Sequence, residues 1–197
     1  MTRANRMASA AIAAVLVLGL TPGLAAAAQA PAPQVKSGDP AFDKPFLSEI
    51  NKYRARHSSD PVTVNPDLDA LAQDYAVWAL ENGIKGEYSP AARYGRTLAS
   101  DKSTNGYPGM KNVPSRWYAE SRNYNYDDPA NSPGRVSDFT QMVWKSSKSV
   151  GIGKACGKKQ RFYACTVVAL WDPRGNIYYG GEDSMKFFRE NVTRPIS

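Results

Sequence analysis

Apolar positions recur every three or four residues through the first half of the chain and tend to alternate near its end. Phe46, Leu47, Ile50 and Tyr53 share one helical face, Asp43 stands in an N-cap place, and Arg54, Arg56 and His57 put positive charge at the far end. That spacing predicts a helix over about 44–57. Asn65-Pro66 marks a second start with proline at the first helical position; Leu68, Leu71, Ala72, Tyr75 and Ala79 form its buried stripe, and Asn82-Gly83 ends it. Residues 86–109 carry no period and predict loops with a short extended piece. "VPSRWYAESRNY" predicts a third helix, with Trp117 and Tyr118 facing in and Glu120 able to reach the interior. A short helix follows inside "RVSDFTQMVWKSSKSVGIG" (135–153), then two hairpin strands over 150–155 and 161–171, a turn at 173–176 and a third strand at 177–179. Helices early and strands late predict an α+β domain with an antiparallel sheet. Gly151 and Gly153 alternate within a strand, which points to close packing rather than phosphate binding, since no helix start follows them.

The first thirty residues have a different character. Arg3 and Arg6 make a basic start, an apolar run spans 8–20, Pro22-Gly23 punctuates it, and Ala28-Gln29-Ala30 is a small-x-small cleavage site. The pattern predicts a secretory signal peptide over 1–30, the run being too short for a membrane span; an uncleaved anchor is the alternative. Residues 31–41, with Pro31, Pro33 and Pro40, predict a flexible lead-in. Cleavage removes two arginines and no acid, leaving 23 basic against 18 acidic residues, a net charge of +5. That charge favours anionic surfaces such as a cell wall, acidic polysaccharide or lipid headgroups. The basic residues are scattered without a basic helix face, so nucleic acid is not an expected partner. Cys156 and Cys165, nine positions apart in an exported chain, predict a disulfide across a hairpin; as metal thiolates they lack further ligands.

Four stretches together resemble one family. "DFTQMVWKSSKSVGIGKA" is similar to the G-H-F-T-Q-x-x-W signature of the CAP superfamily (cysteine-rich secretory proteins, antigen 5, pathogenesis-related class 1), and "LWDPRGN" to its aromatic-x-P-x-G-N signature. "INKYRARHSSDPVTVNPDLDALAQDYA" resembles its opening helices and "RWYAESRNYNY" its W-Y-x-E helix, while "FFRENV" looks like the tail of the Golgi-associated plant-pathogenesis-related branch. The resemblance covers about 42–193 as one CAP domain. It implies a three-layer α-β-α sandwich around a central antiparallel sheet, and a cleft where two histidines and two glutamates often hold zinc or magnesium.

On this chain the four cavity positions fall on Tyr88, Arg96, Glu120 and Asp138, so only one glutamate is kept. His57, the single histidine, matches one that relatives carry at the end of the first helix, and a helix end suggests a solvated, dipole-favoured residue. A histidine-based zinc site and a Ser-His-Asp or Cys-His mechanism therefore lack their parts, and no metal or cofactor is expected. Glu120 with Asp138 is the remaining pair for two-carboxylate hydrolysis. Arg96 is positioned either to bridge them in the metal's place, holding both carboxyls ionised, or to face solvent at the rim. Tyr124, Tyr126 and Pro129 match a loop where fungal relatives bind sterols, although Ala130 and Asn131 replace its glycine and aromatic. Asn191-Val192-Thr193 is a glycosylation sequon. The expectation is a secreted, non-enzymatic protein that binds a lipid, a sterol, an anionic cell surface or a host protein. A peptidase-like hydrolase using Glu120 and Asp138 is the alternative.

Overall fold

The computed structural model describes residues 39–178, 180 and 183–196; the predicted signal peptide and residues 31–38 of the lead-in lie outside them, while Pro40 and Ala41 are helical. Helix α1 spans Pro40–Arg56 and begins a turn earlier than its apolar stripe suggests. Asp39 rather than Asp43 is the N-cap, its side chain accepting from the Ala41 amide at 3.0 Å, and Pro40 takes the first helical position, where its missing N–H costs nothing. Asp43 instead lies in the first turn. After β1 (Thr63–Val64), helix α2 (Pro66–Asn82) starts as predicted: Asn65 caps the amides of Asp67 and Leu68, and Gly83 ends it at φ 89°.

The extended piece expected after α2 is a nine-residue strand, β2 (Gly95–Ser103). Helix α3 (Val113–Ala119) passes into a tighter turn at Glu120–Asn123; α4 is Ser137–Val143, β3 Ser149–Lys159, β4 Phe162–Asp172 and α5 Lys186–Asn191. The sheet order is β1-β3-β4-β2. Its three long strands are antiparallel, but two-residue β1 pairs with β3 in parallel, so the sheet is mixed. Residues 177 and 178 are not a strand, and Tyr179 lies outside the described residues. The pairing partner assigned to them by local alternation is taken by β2, which precedes the hairpin by some fifty residues and whose register no local pattern reveals.

Two apolar layers sandwich the sheet. Leu68, Ala72, Tyr75, Ala76 and Ala79 of α2 pack on Ala155, Val168 and Leu170, while α1, α3 and α4 bury Phe46, Ile50, Trp117, Phe139 and Met142 against Ile152, Val167 and Trp171. Gly151 and Gly153 set the depth of the α2 contact: a Cβ at either would lie 2.1–2.2 Å from the backbone of Leu68 or Ala72. Side chains of α2 also satisfy β3 where β1 stops. Asp69 Oδ1 accepts from Ile152 N–H at 2.6 Å, and Gln73 bonds both the N–H and C=O of Lys154. Cys156 and Cys165 face each other in the β3–β4 register and form the predicted disulfide.

Candidate functional site

The site is built around α4, a helix of two turns that could not persist alone. At its N-terminus Glu120 Oε2 accepts the amides of Asp138 at 2.9 Å and Phe139 at 3.1 Å. At the other end Arg54, fully buried, donates to the carbonyls of Met142 and Trp144 at 2.8 and 3.0 Å, and to those of Ser147 and Asp60. Each charge has the sign that the nearby helix end favours. Burial pulls the Arg54 guanidinium down to about 10, still far above neutrality. From the sequence Arg54 reads as a helix-end charge; only the fold shows that it ties α1 to α4.

The two signature stretches meet here for structural reasons. Thr140 Oγ1 donates to Asn176 Oδ1 at 2.6 Å, and Asn176 Nδ2 donates to the Ser137 carbonyl at 2.9 Å. The Gly175 amide donates to Gln141 Oε1 at 2.9 Å. A Cβ on Gly175 would strike Trp144 and Gln141, and one on Gly95 would strike the Gln141 amide. These residues lock α4 to the β4 exit turn and the start of β2.

Beside this frame lies the charged centre. Arg135 Nε meets Glu120 Oε1 at 3.0 Å and its Nη2 meets Asp138 Oδ2, so one guanidinium bridges the two carboxylates. The bridging role considered for Arg96 thus belongs to Arg135. Arg96 is exposed and donates from Nη1 to Tyr75 Oη at 2.8 Å, because its strand register directs it toward α2. Arg135 was legible in principle, sitting three residues before Asp138 at helix-pair spacing. The expected depression of both acids also fails for Asp138. Its carboxyl is pushed up to about 7 by burial first and by the Glu120 charge second, against the pull of Arg135 and the Leu98 amide. Tyr88 stacks on Tyr75 at 4.9 Å, within an aromatic cluster that includes Trp78.

The metal that the CAP resemblance implies does not fit these residues. Its two carboxylates already hold Arg135, an arginine and a tyrosine stand at the other positions, and no group of three or more His, Cys, Asp or Glu among the described residues could ligate an ion. What the arrangement does offer is a groove of about 570 Å³, lined by Arg96, Asp138, Gln141, Arg174 and Asn176 among others. Ile84, Leu98, Arg135 and Asp138 also line a smaller recess of about 190 Å³ that reaches Glu120 and Trp117.

His57 is not solvated. It is fully buried; its Nδ1 lies 2.6 Å from the Thr193 carbonyl, which can only accept, so Nδ1 carries the proton and Nε2 accepts from Tyr118 Oη at 3.2 Å. Burial lowers its pKa, and the imidazole is a neutral strut. The C-terminal segment closes over the end of α1 at this point, a long-range contact no local pattern signals. Tyr124 is 6% exposed and meets Phe139 edge to face, Pro129 is buried, and Tyr126 is half-buried between His57 and Arg194. Asn191 is buried too, with its amide bonded to Phe187 and Ser146, so the folded sequon presents no side chain to a glycan.

The profile of the CAP, cysteine-rich secretory protein family matches residues 47–169. The chain belongs to the CAP family. Human Golgi-associated plant pathogenesis-related protein 1 is 33% identical over 160 residues, covering 81% of this chain and 97% of the relative. The secreted protein RBT4 of Candida albicans is 31% identical over 163 residues, covering 80% of this chain and 42% of the relative. The crystal structure of MpPR-1i superposes with a TM-score of 0.53 at 18% identity over 73% of this chain and 96% of that one, a likeness of fold alone. CAP folds of this kind are α-β-α sandwiches, matching the layers described above.

Proposed function

We propose that this CAP protein is a secreted, non-enzymatic binding protein that uses the α4 groove and its positively charged surface to engage a lipid, a sterol or an anionic cell surface. The observation that carries the reading is the Arg135 bridge. Glu120 accepts two helix amides and pairs with a guanidinium, so both of its oxygens are already engaged within the protein. The only histidine is a buried strut. Secretion is supported by the signal-like residues 1–30, by the disulfide and by secreted relatives such as RBT4. For a sterol to use the loop of Tyr124, Tyr126 and Pro129, that loop must open, because Tyr124 and Pro129 are packed inward.

The second reading, a hydrolase, is favoured by one observation: Asp138, with its carboxyl at about 7, can carry a proton near neutrality. Against it stands the occupation of that carboxyl by Arg135 and the Leu98 amide. A sterol and fatty-acid binding screen run beside a peptidase assay, with and without chelator, separates the two. Saturable binding without turnover is expected. Turnover lost in Glu120→Gln would establish the hydrolase instead.

A further inference from the structure

The groove has the wrong charge for the cation its family resemblance implies. Its lining carries Lys85, Arg96, Arg135 and Arg174 against only Glu87 and Asp138. Arg135 is already engaged by Glu120 and Asp138. The two remaining guanidinium groups are braced by neutral oxygens: Arg96 Nη1 on the Tyr75 hydroxyl at 2.8 Å, and Arg174 Nη1 on the Ala92 carbonyl at 3.5 Å. No carboxylate ion-pairs with Lys85, Arg96 or Arg174 among the described residues.

The sheet register puts both arginines at the same end of the sheet. Gly95 pairs with Trp171 and Arg96 with Leu170, so Arg174, three residues past Trp171, leaves β4 beside the start of β2, where its contact with Ala92 places it, and both arginines line the one groove. Ile84, Ala91 and Leu98 give the same groove apolar walls. Guanidinium groups held in place by neutral partners keep their charge and their remaining donors for a ligand with paired oxygens.

We propose that this groove is an oxyanion site, in which Arg96 and Arg174, with Lys85 at the mouth, take a phosphate or carboxylate group whose attached body lies along Ile84 and Leu98. The inference rests on the reading of the protein as a binding module and names the chemistry of its ligand. The shared chemistry has two sources, a free small anion or the headgroup of an anionic lipid.

The test is titration calorimetry of the mature protein with inorganic pyrophosphate and with citrate, beside co-sedimentation with vesicles of phosphatidylglycerol in phosphatidylcholine or of phosphatidylcholine alone. The wild type binds at least one of these anionic probes saturably, with affinity falling as salt rises. Arg96→Gln with Arg174→Gln weakens that binding about tenfold or more, and Arg96→Lys with Arg174→Lys restores part of it. Lys158→Gln with Lys159→Gln removes the same net charge from the distant β3–β4 hairpin and leaves affinity within about twofold. Both sites are exposed, and melting curves verify that each variant folds. Binding to vesicles only, with the same dependence on Arg96 and Arg174, assigns the headgroup; binding of pyrophosphate or citrate assigns the free anion.

Equal losses in the groove and hairpin variants overturn the proposal, as does failure of the wild type to bind any anionic probe. Either result leaves the binding-module reading intact. That reading falls on a different outcome, Glu120-dependent turnover in the peptidase assay.

Discussion

Arg96 and Arg135 carry the same charge, and their surroundings separate them. Arg96 is exposed and bonds one neutral hydroxyl, so Arg96→Ala is expected to change stability by less than ~1 kcal/mol. Arg135→Gln leaves Glu120 and Asp138 facing each other without a counter-charge. Because the Arg135 side chain is itself 60% exposed, the expected loss is only ~1–3 kcal/mol at pH 8, and less at pH 5. Chemical denaturation of the two variants side by side checks the ranking. Asp138 has its own pH signature. Its carboxyl titrates near 3.8 when unfolded and about 7 when folded, so its contribution is fully favourable below pH 3.8 and is lost as pH rises to about 7. Asp138→Asn removes that loss: relative to wild type, the variant should gain ~2 kcal/mol between pH 5 and pH 8, read from melting curves. Asp43, raised to about 6 mainly by burial, adds a slope of the same sign to both proteins and cancels in the difference. His57 acts the other way. Burial lowers its pKa, so its contribution is present above pH 6.5 and is lost as pH falls through the folded value, again equally in both.

At the scale of elements, α4 is held more by its ends than by its length. Arg54 bonds four carbonyls from inside the core, so Arg54→Met, which fits the space but donates nothing, takes a donor from each of them and leaves the Trp144 carbonyl with only the Ser147 amide. A loss of ~3–5 kcal/mol is expected by urea denaturation, with hydrogen exchange showing α4 and the segment up to Ser147 loosened first. The β3–β4 hairpin is constrained differently, by a disulfide between directly paired residues. The loop it closes is short, so the paired Cys156→Ser and Cys165→Ser variant should lose ~2–3 kcal/mol and still fold around the two-layer core. Thiol labelling of the unreduced, denatured wild type should find no free thiol.

At the scale of the whole molecule, the surface charge and the groove point the same way. The net positive charge, +7 for the whole chain and +5 without residues 1–30, favours anionic surfaces within a Debye length, and the proposed oxyanion site of Arg96 and Arg174 lies in a groove of the same sign. The signal-like residues 1–30 add Arg3 and Arg6 to that charge, while the groove is lined by residues between Ile84 and Asn176. Intact-mass measurement of the exported protein should place the new N-terminus at Pro31, after the small-x-small site. Retention of residues 1–30 would restore Arg3 and Arg6 and favour an anchored protein instead.

Much of the fold was legible because it is written in short-range terms. The α2 boundaries follow from Asn65-Pro66 and Asn82-Gly83, close packing on the strand from Gly151 and Gly153 (though not that α2 is what packs there), and the disulfide from two cysteines nine residues apart on a predicted hairpin. That Tyr88 and Arg96 bring no usual metal donor to the positions implied by the family resemblance follows from residue identity alone. What only the tertiary structure decided are pairings across long separations. Local alternation placed a strand at 177–179, whereas the register of β2 against β4 joins residues some seventy positions apart. Burial of His57 depends on Thr193, 136 residues away, and burial of Arg54 on carbonyls 88 to 93 residues away. The exchange of Arg96 for Arg135 has the same cause: a charge is assigned by which strand face or helix turn it leaves from, and that direction is set when sheet and helices pack.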